Sequence, residues 1–188
     1  MQNQRMKVFH FPHRAIRNAL AELVLESGRI ESSVSEEWKE LKGKALEIFR
    51  ILEAHARDEE KFTLRHLEDR LSGSTEQDRR EHVDLENRLD ALAKILQREN
   101  ADISDTAEFY DSLIDFQSRY FSHMRREETE TQELIWKQFT DSELEAHHLE
   151  IMKALEPEEM KLWSKYLLPT LPPKQRAAFE ERARSVSV

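Results

Sequence analysis

Four stretches of this chain place apolar residues at alternating steps of three and four over many turns, a spacing that fits an α-helix with one buried face. The first opens after Pro12, a residue suited to a helix start, and its stripe reads His13, Ile16, Leu20, Leu23 and Ile30. The second starts near Ser35, an N-cap candidate. It carries Trp38, Leu41, Ala45, Ile48, Leu52, His55, Glu59, Phe62 and His66, and ends at Ser72-Gly73-Ser74. Thr75 can cap the third, with His82, then Leu85 or Glu86, and Leu89, Leu92 and Leu96, up to a break at Asn100–Ser104. The fourth runs through Phe109, Leu113, Phe116, Tyr120, His123, Glu127, Glu130 and Leu134. Seams of this length are those of a helix bundle.

The predicted fold class is therefore all-α: an antiparallel up-down four-helix bundle over residues 1–140, with residues 141–188 as extra C-terminal helices packed on it. In that extension, Thr140-x-x-Glu143 is a capping-box pattern opening a helix with His147 and His148. Pro157, Pro169, Pro172 and Pro173 divide the remainder into short pieces. Only 3 Gly and 5 Pro among 188 residues, with 36% charged residues, suit long helices with solvated outer faces.

Composition also excludes functions. A net charge of −9 and no basic cluster argue against nucleic acid as a partner. No apolar run approaches the roughly 20 residues that span a bilayer, so no membrane partner is expected. Met1–Lys7 lacks the apolar core of a signal peptide, which makes the cytoplasm the expected location. With no cysteine, any metal must be held by oxygen and imidazole nitrogen.

Polar residues interrupt the seams at mid-length. His13, His55, His82 and His123 come one from each predicted helix, and Glu59, Glu86 and Glu127 follow three of them at i+4, on the same helical face. Uncompensated burial of such a set costs several kcal/mol, and a coordinated cation offsets that directly. Imidazole with carboxylate suits iron, manganese or zinc. Seven donors exceed what one ion with an open position needs, so two ions fit better. Glu59 and Glu127 are placed to bridge them, with His13 and His55 on one ion and His82, His123 and Glu86 on the other. The spacing also predicts that the second helix overhangs or bends, since the midpoint of His55 and His82 falls before the Ser72–Ser74 turn. His10 competes with His13; His66 lies too far along its helix; His147 and His148 read as surface residues; Glu60, Glu128 and Glu130 read as outer groups.

His55-Ala-Arg-Asp-Glu-Glu and His123-Met-Arg-Arg-Glu-Glu share a pattern, and with His13-Arg-Ala-Ile-Arg and Glu81-His82 they resemble the hemerythrin-like, or HHE cation-binding, family over roughly residues 9–140. The resemblance implies an antiparallel bundle holding two non-haem iron ions, oxo- or hydroxo-bridged. It further implies Glu59 and Glu127 as bridges and His13, His55, His82 and His123 as terminal ligands. Two departures from oxygen-carrying members stand out. Glu86 occupies the place of a fifth His, and Glu127 lies four residues after His123 where an Asp at five is usual.

The expected function is a di-iron protein that binds or senses a small diatomic or peroxide ligand (oxygen, nitric oxide, peroxide) or buffers iron, a binding role rather than an enzyme. The alternatives are a di-iron redox enzyme of peroxidase-like or iron–sulfur repair type, towards which Glu86 leans, and a metal-free structural bundle.

Overall fold

A computed structural model describes residues 5–30, 36–98 and 102–177. It is all-helical, with no strand among the described residues. The bundle helices are α1 (His10–Ser27), α2 (Glu36–Asp58), α4 (Glu76–Leu96) and α5 (Ile103–Arg126). They pack in a closed ring, α1 on α2, α2 on α4, α4 on α5 and α5 on α1, giving an antiparallel up-down bundle. The predicted stripes are its core: Ile16, Leu20 and Leu23 meet Ile48, Leu52, Leu89, Leu92, Phe109, Leu113 and Phe116.

Local signals explain the helix ends that are described. Pro12 sits in the first turn of α1, where an amide N–H has no intrahelical partner to lose. Asp102 caps α5, accepting from the Ser104 backbone N–H while Asp105 bonds back. The predicted cap Ser35 and the Asn100–Ala101 part of the predicted break lie outside the described residues. Thr75 stands at the N-cap of α4 but makes no capping bond; its hydroxyl donates to Glu68 at 2.8 Å. Glu68 also accepts the backbone N–H of Gly73, whose φ of +80° is the left-handed conformation that favours glycine.

Two of the four rods depart from continuous α-helix. Glu59–Thr63 and Glu127–Thr131 are π-helical, closed by Leu64 N–H to Glu59 C=O and by Gln132 N–H to Glu127 C=O. Each such turn holds one residue more than an α-turn. The buried stripe therefore slips by one position beyond it. Past Glu59 the core takes Leu64 and Leu67, where an unbroken helix would present Phe62 and His66; past Glu127 it takes Thr131 and Ile135, where Glu130 and Leu134 were expected.

The helices that follow, α3 (Leu64–Arg70) and α6 (Gln132–Gln138), pack on each other. Leu67 and Ile135 join Phe9, Phe139 and Leu144 in a second core layer. This is how the second rod overhangs. The segment before α1 is fastened to the same layer. Arg5 donates to the carbonyls of Trp136 and Phe139 and pairs with Asp141, and the Trp136 indole donates to Met6 C=O.

Beyond the bundle, Thr140 and Glu143 form the expected capping box at the start of α7 (Asp141–Ala154), which lies against the first π segment. The next helix, α8 (Pro157–Leu167), packs on α1 and α2. No described helix is long and apolar enough to cross a membrane.

The slipped register has a direct test in urea unfolding. Leu64→Ala, which empties a fully buried site, is expected to cost about 2–5 kcal/mol, and Phe62→Ala clearly less. The reverse order would restore an unbroken α-register.

Candidate metal centre

Six of the seven predicted donors converge mid-bundle. His13 comes from α1, His55 from the end of α2, His82 from α4 and His123 from the end of α5; Glu59 and Glu127 are the first residues of the two π segments. All six are buried, Glu127 with 0% of its surface exposed. The chain brings together Glu59, His82, His123 and Glu127 as one group of potential metal donors, and His13, His55 and Glu59 as another.

Each carboxylate presents one oxygen to each histidine pair. Glu59 Oε1 lies 3.2 Å from His55 Nε2 and 3.7 Å from His13 Nε2, whereas its Oε2 faces His82 Nε2 at 3.4 Å. Glu127 mirrors this, with Oε2 at 3.4 Å from His13 and Oε1 at 3.3 Å from His123 and 3.7 Å from His82. None of His13 Nε2, His55 Nε2, His82 Nε2 or the four carboxylate oxygens has a hydrogen-bond partner, although all are buried. Such orphaned groups are expensive in a dry core. Two donors at about 2.1 Å from a shared first-row ion stand roughly 3.0–3.4 Å apart. The observed spacings lie at or just above that range, so the donor set fits metal ions.

Behind the imidazoles stands a carboxylate layer. Glu128 contacts His13 Nδ1 at 3.0 Å, Glu60 contacts His82 Nδ1 at 3.0 Å, and Glu81 contacts His123 Nδ1 at 2.8 Å. This fixes each ring with Nε2 turned inward, as metal-ligating histidines require. Arginines hold the carboxylates in turn: Arg17 on Glu128, Arg79 on Glu60, Arg126 on Glu81. Arg126 also grips Asp78, which is fully buried and hydrogen-bonded to Thr131 of the second π segment.

The electrostatics reflect two carboxylates confined together among four imidazoles. Burial opposes a charge on His13 and His82, but the facing glutamates outweigh it and push His13 up to about 10 and His82 up to about 12. Burial pushes His55 down to about 4. Glu59, although desolvated, is held well below the usual carboxylate range by His55, His13 and His82. Tyr120, buried beside the cluster, is raised by desolvation and then by Glu59 and Glu127.

Glu86 is the predicted donor that does not join. It is exposed, and Leu85 fills the seam of α4 instead. The reason lies in the helix roles: α1 and α4 each bring one histidine to the centre, and the residue one turn on, Arg17 or Glu86, is not part of it. His10 is likewise exposed, which leaves His13 as the donor from α1. His66 instead meets His147 edge-on, ring centroids 4.0 Å apart, and is not part of the cluster. Sequence reasoning missed the π turns and the roles of Glu81, Arg126 and Asp78. The paired Glu-Glu of the repeated His-x-Arg-x-Glu-Glu pattern was the available signal for Glu60 and Glu128.

The model of the hemerythrin HHE cation binding domain matches residues 6–135. The chain belongs to that family. No curated protein and no solved structure matches it. The family and the buried His/Glu cluster together make this a metal-binding hemerythrin-like protein.

Removing Arg126 leaves the buried Asp78 carboxylate without its cation. Arg126→Ala is expected to destabilise the protein by on the order of 3 kcal/mol, with part regained when Asp78→Asn is added, as thermal unfolding of the single and double variants will register.

Proposed function

We propose that this hemerythrin-like protein holds two non-haem iron ions, with Glu59 and Glu127 spanning both, His13 and His55 on one ion and His82 and His123 on the other. Its role is to bind or sense a small ligand such as oxygen, nitric oxide or peroxide, or to buffer iron. The observation that carries this reading is the division of each carboxylate, one oxygen towards each histidine pair. A single ion would leave two donors of that arrangement unused.

The assignment gives each ion four protein donor atoms, fewer than the six an octahedral ion accepts, so positions stay open for a small ligand. Bound iron would supply the redox-active partner that such ligands need. The protein's own contribution is to keep the centre dry, to fix the imidazoles through Glu60, Glu81 and Glu128, and to balance charge with two glutamates. With Glu86 on the surface, the feature that leaned towards a redox enzyme no longer supports one.

Elemental analysis after anaerobic ferrous loading is expected to find about two irons per chain, lost in His55→Ala/Glu59→Ala. Visible absorption of the iron form should change on adding azide, nitric oxide or oxygen; an inert spectrum counts against ligand binding. Because a metal must displace the protons on His13 and His82, apparent zinc affinity should rise steeply between about pH 6 and 8. A flat profile in competitive titration contradicts their place as ligands.

A further inference from the structure

The centre follows a near two-fold relation between α1–α3 and α4–α6. His13 corresponds to His82, His55 to His123, Glu59 to Glu127 and Glu60 to Glu128. Distances repeat across it: His13 Nε2 lies 3.7 Å from Glu59 and 3.4 Å from Glu127, and His82 Nε2 lies 3.7 Å from Glu127 and 3.4 Å from Glu59. The i,i+4 pairs agree, at 3.2 Å for His55–Glu59 and 3.3 Å for His123–Glu127. Glu128 on His13 and Glu60 on His82 are both at 3.0 Å.

The relation breaks at one imidazole. Glu81, the residue before His82, backs His123. The residue before His13 is Pro12, which has no side-chain acceptor. Among the described residues, no carboxylate backs His55 Nδ1. Its ring instead meets the Trp163 indole of α8 edge-on, centroids 6.2 Å apart, in a helix beyond the family match at residues 6–135.

We infer that the centre holds its two ions unequally: the ion on His82 and His123 is retained, and the ion on His13 and His55 is labile and exchanges first. This rests on the di-metal reading above. A carboxylate behind a ligating imidazole fixes the ring and raises its basicity, and losing one typically costs 10–100-fold in metal affinity. The His82/His123 side has two such carboxylates, with Glu81 held further by Arg126 and Gln77. The His13/His55 side has one. Metal release therefore proceeds from the side covered by α8, and full occupancy depends on the surrounding iron concentration.

The test is anaerobic calorimetric titration of ferrous iron into the metal-free full chain. Two equivalents are expected, with affinities at least about tenfold apart. His55→Ala should keep the tight step and lose the weak one, and His123→Ala should leave only weak binding. Pro12→Glu, which supplies the missing carboxylate, should raise the weaker affinity. Glu60→Gln, which weakens the backing of His82, should lower the tighter one, so the inference stays open to refutation if Pro12→Glu does not fold by circular dichroism. Two equal steps, or loss of the tight step in His55→Ala, would overturn the inequality and leave the di-metal reading in place. Binding of one ion or none at saturating iron would overturn that reading and the inference with it.

Discussion

Two buried glutamates face each other in the core, and much of the surrounding structure compensates for that arrangement. Like charges at close range destabilise a dry interior unless positive charge lies between or beside them. Four imidazoles surround the pair, three of them braced from behind by carboxylates and arginines. That bracing extends the polar network from the centre outward to Arg17, Arg79 and Arg126, where solvent takes over. The apolar layers on either side, around Phe109 and around Phe9, keep the assembly closed and its geometry fixed.

The imidazoles are the other half of the same electrostatic problem. The facing glutamates favour the protonated form of His13 and His82 against the cost of burial, which sets positive charge beside the two carboxylates.

Much of this was legible in the residues themselves. The stripe from Trp38 to Glu59 and the stripe from Phe109 to Glu127 are buried position by position as spaced. A histidine on each seam marked where polarity had to be compensated. Reading went astray where helical periodicity changed: a three-four count carried past Glu59 selects Phe62 and His66, and only the wider turn moves burial to Leu64 and Leu67. No residue type in Glu59–Thr63 or Glu127–Thr131 announces the wider turn. Glu86 misled for a related reason. Spacing at i+4 gives a shared face, but which flank of that face points inward depends on the neighbouring helices, and Leu85 fits the seam better. Arg126 is distant in sequence from Asp78 and Glu81, and their network emerges only when α4 meets α5.

The clasp of Arg5 on Trp136, Phe139 and Asp141 gives the bundle a particular topology. The chain enters the helical array beside the point where it leaves it, so the bundle is closed into a ring by side-chain bonds as a covalent loop would close it. The α7–α8 extension departs from that same junction and crosses back over α1 and α2. One small knot of contacts therefore anchors both the opening of the bundle and the root of the arm that reaches towards His55.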